Sequence, residues 1–197
     1  MKTSLPLLAG ATLALCGATP AVAQALAPGD AATIAQLDGL FARWARDDTP
    51  GCAIAISRGG QPIAMRSYGM ASLELGVPAT VDSIYEAGSD SKQFTSAAIL
   101  MLAREGKLSL DDDIRKYLPE MPAYTAPVTI AHMLHHTSGL RDWGSVSAIE
   151  GWPRNSRTAN NDDVLRIAAR QAELNFAPGS HYLYSNSNYN LLAIIVD

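Results

Sequence analysis

Strand-forming sequence is confined to one short stretch of the chain, and this limits the folds that the chain can adopt. Residues 52–57 and 62–68 are largely apolar, and they flank the dipeptide Gly59-Gly60. Two such runs around a Gly-Gly pair predict a β-hairpin. Beyond Ser89 the strand signal gives way to helical spacing. The chain is therefore predicted to be α/β, or more loosely α+β, with too few strands to complete a sheet.

Composition and charge describe an ordinary globular protein. Hydrophobic residues make up 48% of the 197 residues and charged residues 17%, which is unlike disordered or collagen-like chains. The 15 Lys and Arg against 19 Asp and Glu give a formal net charge of −4. Without a basic surface no nucleic-acid partner is expected. The length suits one domain or part of a larger one.

The first residues have the layout of a secretory signal peptide. Lys2 supplies a positive charge, residues 5–16 are apolar, and residues 21–23 offer small side chains at a cleavage site. The apolar run is shorter than the roughly 20 residues that a membrane span needs. We therefore predict a signal peptide over residues 1–23, a mature domain over residues 24–197, and a periplasmic or secreted protein.

The two cysteines predict no internal disulfide. Cys16 lies within the predicted signal peptide, and Leu15 before it is bulky where lipoprotein processing requires a small residue. Cys52 is then alone in the mature chain. Its apolar neighbours at residues 53–56 indicate a buried strand position, where a free cysteine behaves as a small hydrophobe.

Helical spacing predicts several helices around the hairpin. Asp30 is the predicted N-cap of a first helix whose apolar face includes Leu37, Leu40 and Trp44. A second long helix is predicted to begin near Ser89 and to stop at a glycine. Its predicted apolar face consists of Phe94, Ala97, Ala98 and Met101, and its stop is Gly106. Further helices are predicted over residues 111–117, 129–135 and 164–172, and from about residue 187.

Ser89 and Lys92 form an S-x-x-K motif at the start of the predicted second helix. Three residues make nearly one helical turn, so the two side chains lie on one face. A base can take the serine proton, and the positive end of the helix macrodipole favours the neutral amine that this requires. The Ser89 N–H, unpaired in the first turn, can face a developing oxyanion. The alternative is a serine N-cap followed by a solvated lysine.

Tyr184 and Asn186 form a Y-x-N motif directly before the last predicted helix. The phenol is a second group that can move a proton, and the amide can donate and accept to orient a substrate. The alternative is a polar turn in which Asn186 caps the helix. Together the two motifs supply a nucleophile, two candidate bases and an amide that can orient the substrate.

These motifs resemble those of the serine β-lactamase-related family, which includes class C β-lactamases, DD-peptidases and related esterases. Segments that resemble the family lie, in order, at residues 49–51, 88–95, 106–112, 136–140 and 184–189. The resemblance implies a β-lactamase/transpeptidase-like fold, in which an antiparallel sheet flanked by helices lies beside a helical subdomain.

The resemblance also implies the role of each motif residue. Ser89 is the residue that is acylated, Lys92 is the motif lysine, Tyr184 relays protons, and Asn186 contacts the substrate. The implied function is that of a serine hydrolase that forms an acyl-enzyme from a β-lactam, a D-amino-acid peptide or an ester. Neither a metal nor an organic cofactor is required, and a monomer without a membrane span is expected.

One motif of the family is not found. The family carries K-T-G or H-x-G on a strand after the helical block, whereas the H-T-S-G at residues 136–139 lies within that block. Residues 24–197 are therefore interpreted as the N-terminal portion of a longer serine hydrolase, inactive on its own and with an incomplete sheet. One alternative is a penicillin- or peptidoglycan-binding protein that does not hydrolyse its ligand. The other is an inactive truncated fragment that is also unstable.

Other motifs give weaker indications. His132, His135 and His136 lie within one helical turn, but no Cys or Glu lies nearby in sequence to complete a zinc site. The three aspartates at residues 111–113 lack the spacing of a calcium loop. We therefore predict no metal site. The pattern G-x-S-x-G does not occur, which argues against an α/β-hydrolase triad.

Overall fold

The computed structural model describes residues 31–152 and 156–197. The predicted signal peptide and Asp30, the predicted cap of the first helix, lie outside these residues. The described residues divide into two compact units, with the boundary between Tyr85 and Glu86. The hairpin belongs to the first unit, and all four predicted site residues belong to the second.

The first unit contains the predicted hairpin. Its elements are α1 (Ala31–Phe41), a 3-10 turn (Ala42–Trp44), β1 (Cys52–Arg58), β2 (Gln61–Tyr68), β3 (Met70–Ser72) and β4 (Val77–Pro78). Strands β1 and β2 pair antiparallel, as do β3 and β4, in two separate two-stranded sheets. Gly59 and Gly60 have φ of 57° and 78°, which is the backbone that a two-residue hairpin turn requires. The prediction that Cys52 is buried was wrong, because it is half-buried in β1.

Helix α1 packs against β2 through a few large side chains. Leu37 is buried, and the ring of Phe41 stacks on that of Tyr68 with centroids 5.2 Å apart. The Tyr68 hydroxyl donates to Asp38 Oδ1 over 2.8 Å. The predicted apolar face was wrong at Leu40, which is 70% exposed. Helix α1 therefore packs on β2 through the face that carries Leu37.

The second unit is largely helical. Its elements are a 3-10 turn (Gly88–Ser91), α2 (Lys92–Arg104), a 3-10 turn (Ile114–Lys116), α3 (Ile130–Leu134), α4 (Trp143–Ile149), α5 (Asn161–Ala169) and α6 (Asn186–Val196). The helix predicted over residues 111–117 is only the second of these 3-10 turns, whereas α6 begins within one residue of its predicted start. Among the described residues, no helix is long and apolar enough to cross a bilayer.

Local sequence signals set the ends of several of these helices. The side chain of Thr129 accepts the His132 N–H and caps α3. The side chain of Asn160 accepts the Asp163 N–H over 2.9 Å and caps α5. Gly106, with φ of 71°, follows α2 as predicted. At the starts of α3 and α5, a side chain thus accepts a backbone N–H that has no partner within the helix. At the end of α2, a glycine in the left-handed region lets the chain leave the helix.

The core of the second unit forms around α6. Leu191 and Leu192 of α6 are fully buried together with Ile99 of α2. Helices α2, α3, α4 and α5 all contact α6. The predicted apolar face of α2 was wrong, because Phe94 is 72% exposed and Met101 52% exposed. Among the described residues, the buried side of α2 is the side that contacts α6.

Candidate active site

The four predicted site residues meet where α2 and α6 begin. Ser89 lies in the 3-10 turn that leads into α2, and Lys92 is the first residue of α2. Tyr184 lies two residues before α6, and Asn186 is its first residue. Because α2 packs against α6, side chains that are 94 and 95 positions apart in sequence come within hydrogen-bond distance. The structure thus brings both motifs together.

The Ser89 hydroxyl contacts two groups that can move a proton. Its Oγ lies 2.6 Å from the Tyr184 hydroxyl oxygen and 3.0 Å from Lys92 Nζ. Both distances fall in the range in which a proton can be transferred directly. Ser89 itself is exposed to solvent, so an incoming carbonyl can reach it.

Lys92 is held from several sides. Its Nζ donates to Asn186 Oδ1 over 3.1 Å, in addition to Ser89. The same nitrogen lies 5.0 Å from the ring centroid of Tyr184 and 5.5 Å from that of Tyr189, within the range of cation–π attraction. The acceptor on Asn186 and the two nearby rings restrict the rotamers of Lys92, which holds its contact with Ser89.

Asn186 is fixed in turn by Asp142, the N-cap of α4. Asp142 Oδ2 accepts the backbone N–H of Asn186 over 2.7 Å and its side-chain Nδ2 over 3.0 Å. The other oxygen of the carboxylate, Oδ1, accepts the Ser145 N–H over 3.1 Å. One carboxylate therefore joins the start of α4 to the start of α6.

The charge of Lys92 acts on the phenol beside it. Partial burial alone raises the pKa of Tyr184, but the nearby Lys92 ammonium and the hydrogen bond with Ser89 outweigh burial, so the pKa lies below its usual value. A phenol with a lowered pKa gives up its proton more readily and can accept one from a neighbour as the phenolate. This places a second proton-transfer group within reach of Ser89 Oγ.

His136 lies beneath Tyr184 and is part of the support of the site. Its ring is tilted against the Tyr184 ring with centroids 4.4 Å apart. Its Nδ1 accepts the Ser185 N–H over 3.3 Å and lies 3.2 Å from Asn188 Nδ2. Burial and, after it, the positive charge of Lys92 lower the pKa of His136. The ring is therefore held neutral under the phenol.

The other histidines of the predicted cluster do not converge with His136. His132 Nδ1 accepts the Thr129 N–H over 3.2 Å and completes the cap of α3. Over residues 31–152 and 156–197, the structure shows no group of three His, Cys, Asp or Glu side chains that could hold a metal ion.

A cavity of about 410 Å³ opens beside Asn186. Trp143, Trp152 and Arg157 are among the residues that line it. The Arg157 guanidinium lies 5.1 Å from the ring centroid of Trp152, a cation–π arrangement. The cavity therefore combines two tryptophan rings with several polar side chains beside Asn186.

Two of the residues that build the site, Asp142 and His136, were missed as functional candidates. The resemblance points only to residues 136–140 as a matching segment and assigns them no chemistry. A signal for Asp142 was present, since an aspartate three residues before Ser145 is a typical N-cap. Its contact with Asn186, 44 positions away, has no counterpart in local sequence.

Comparison with known proteins gives consistent matches. A family model described as Beta-lactamase matches residues 31–197. Protein flp of Staphylococcus aureus (strain N315) is 36% identical over 152 residues, which make up 75% of this chain and 29% of that protein. The chain thus spans less than a third of the length of this curated relative.

Two solved structures are similar in fold and sequence. The octameric penicillin-binding protein homologue from Pyrococcus abyssi has a TM-score of 0.70 and 29% identity, and the match covers 83% of this chain and 38% of that chain. EstCE1, a hydrolase with promiscuous acyltransferase activity, has a TM-score of 0.68 and 26% identity, with 84% and 45% covered. In both cases the chain matches less than half of the solved protein.

Proposed function

The chain belongs to the Beta-lactamase family, and from this premise we propose that it is part of a serine hydrolase that works through an acyl-enzyme at Ser89. The family and the mixed helical and antiparallel fold agree with the resemblance seen in the motifs. The observation that carries the proposal is one accessible hydroxyl in contact with Lys92 Nζ at 3.0 Å and the Tyr184 oxygen at 2.6 Å.

In the proposed reaction Ser89 Oγ attacks the carbonyl carbon of an amide, lactam or ester. Its proton passes to the pair formed by Lys92 and Tyr184, and the carbonyl oxygen becomes an oxyanion. When the tetrahedral intermediate collapses, the bond to the leaving group breaks and the leaving group takes the proton from the same pair. Water then gives a proton to the same pair and attacks the acyl carbon. The bond between the acyl carbon and Ser89 Oγ breaks, the acid is released, and Oγ takes the proton that the water gave up.

Asn186 is proposed to contact the substrate beside this centre. Its Oδ1 binds Lys92 and its Nδ2 binds Asp142, and its side chain also lines the cavity of about 410 Å³. The acyl part of a substrate that lies against Asn186 would fill this cavity. The similarity to EstCE1, described as a hydrolase with promiscuous acyltransferase activity, supports acyl transfer as the reaction class.

The organisation of the whole protein follows as a proposal from the coverage of its relatives. We propose that residues 24–197 are the N-terminal portion of a longer hydrolase domain, since the match covers 29% of the Staphylococcus relative.

We also propose that residues 1–23 are a cleaved signal peptide and that the protein is periplasmic or secreted. N-terminal sequencing of protein recovered outside the cytoplasm should begin at residue 24.

Covalent labelling of the complete protein tests the proposed nucleophile. A fluorophosphonate should add its mass to a peptide that contains Ser89, and Ser89→Ala should lose this label together with at least about a thousandfold of ester turnover. The matched control is Ser91→Ala, because Ser91 lies in the same turn but donates to the Gly88 carbonyl over 2.7 Å. Full ester hydrolysis by Ser89→Ala would contradict the proposal.

A second candidate function is penicillin or peptidoglycan binding without turnover. The similarity to a penicillin-binding protein homologue favours it as the alternative. Nitrocefin, a p-nitrophenyl ester and labelled penicillin separate the two functions. Steady turnover of either chromogenic substrate supports a hydrolase, whereas a stable penicillin adduct without turnover supports the binding protein.

A further inference from the structure

Asp142 uses both of its carboxylate oxygens for different tasks. Oδ1 accepts the Ser145 N–H and caps α4. Oδ2 accepts two N–H groups of Asn186, one from the backbone at 2.7 Å and one from the side chain at 3.0 Å. The first task belongs to the fold, while the second acts on a residue that touches Lys92.

The second task decides which way the Asn186 amide points. The two ends of an asparagine amide have almost the same shape but opposite hydrogen-bonding character. An ionised carboxylate only accepts, so the Nδ2 end must face Asp142 and the Oδ1 end must face Lys92, as the 3.1 Å contact shows. In the flipped amide an NH2 group would face Lys92 Nζ, which itself donates to Ser89 Oγ, and the contact between Lys92 and Asn186 would lose its acceptor.

We propose that Asp142 is a positioning residue for the active site, acting through Asn186 on Lys92. By fixing the amide it keeps an acceptor on one side of Lys92 Nζ, which holds the same nitrogen 3.0 Å from Ser89 Oγ. This inference rests on the proposed function, because the effect on rate requires Lys92 and Ser89 to be the reacting pair.

Asp142→Asn in the complete protein separates the two tasks. Asparagine caps helices as well as aspartate does, so α4 keeps its cap. An amide has only one oxygen, however, and when this oxygen caps α4 an NH2 group faces the two donors of Asn186. We expect kcat for a p-nitrophenyl ester to fall about tenfold to a hundredfold, with a smaller change in KM. The unfolding midpoint should also fall, because two hydrogen bonds to Asn186 are lost, so kcat is measured well below that midpoint. The matched control is the reverse exchange Asn160→Asp at the cap of α5, which should leave kcat within about twofold.

A double-mutant cycle tests whether Asp142 acts through Asn186. In the background of Asn186→Ala, Asp142→Asn should lower kcat by less than about twofold, because the amide that it orients is already gone. If the two losses multiply instead, or if Asp142→Asn leaves kcat of the otherwise unchanged protein within twofold, the proposal is overturned.

A measurement that does not use activity keeps this inference distinct from the proposed function. The Asn186 side-chain amide protons should show the downfield NMR shift of donors to a carboxylate, and Asp142→Asn should remove it. If Ser89→Ala retains activity while this shift behaves as expected, the proposed reaction fails and the orientation of the amide stands. If the shift is unchanged in Asp142→Asn, the positioning role fails.

Discussion

The neutral state of His136 leads to a prediction about acid stability. The residue is only 8% exposed, and its Nδ1 accepts the Ser185 N–H and lies 3.2 Å from Asn188 Nδ2. The hydrogen of the neutral ring is therefore assigned to Nε2. Protonation would put a hydrogen on Nδ1 and set it against two other donors, so acid should weaken this part of the fold.

The direction in which the free energy of unfolding changes with pH follows from the lowered pKa of His136 in the folded chain. Burial and, after it, the Lys92 charge lower this pKa. An unfolded histidine takes up its proton near pH 6.5. Below that pH the unfolded chain holds more protons than the folded chain, so the free energy of unfolding falls, by at most about 1.4 kcal/mol per pH unit. The contribution is fully present above pH 6.5 and is lost as the pH falls through the folded pKa.

The hydrogen bonds at Nδ1 set the size of the effect. Protonation removes the single lone pair that both donors share and leaves the Ser185 N–H and Asn188 Nδ2 without this acceptor, at a cost of about 1 kcal/mol each. A loss of about 2 kcal/mol between pH 7.5 and a pH well below the folded pKa is therefore expected from His136 alone.

Urea unfolding of the protein and of His136→Asn from pH 7.5 to pH 4.5 measures this contribution. Asparagine tolerates the positive φ of 55° at this position, and its side-chain oxygen can accept the Ser185 N–H without titrating. The variant should lose about 2 kcal/mol less than the unchanged protein. His181→Asn, the same exchange at an exposed histidine, is the matched control. Equal losses in the protein and in His136→Asn would refute the reasoning.

Three further predictions concern the folding of the second unit. In urea unfolding, Ile99→Ala should lower the free energy of unfolding by about 2–5 kcal/mol because Ile99 is fully buried. Phe94→Ala should lower it by less than about 1 kcal/mol because Phe94 is exposed. Gly139→Ala should destabilise by more than about 1 kcal/mol, since φ is 76° and a Cβ would lie 2.3 Å from the Phe176 carbonyl oxygen. Asn160→Ala should cost about 1 kcal/mol of thermal stability through the lost cap of α5, with ester turnover unchanged.

The parts of the site that the sequence predicts are those set by short spacing. Ser89 and Lys92 are three residues apart, and one helical turn is enough to bring them together. Tyr184 and Asn186 could likewise be identified as a local motif before a helix. That the two pairs meet follows from the packing of α2 on α6, which no local pattern describes and which the family resemblance supplied. Asp142 had no such help, because its interaction with the site is entirely long-range.

The predicted apolar face of α2 was wrong because the side of α2 that is buried against α6 also carries polar residues of the site. Apolar spacing identifies a buried face only when that face is apolar, and the side of α2 that meets α6 is partly polar. Lys92 lies near the rings of Tyr184 and Tyr189, and Ser96 Oγ lies 3.0 Å from the Tyr189 hydroxyl.

Polar groups can be buried at low cost when each one has a partner, and α6 supplies those partners. A purely apolar contact between α2 and α6 would follow the predicted pattern and would pack as well, but it would carry no amine beside Ser89. The polar and aromatic partners on α6 therefore hold Lys92 in its contact with Ser89, and helices that begin with an S-x-x-K motif should be searched for polar partners as well as for an apolar face.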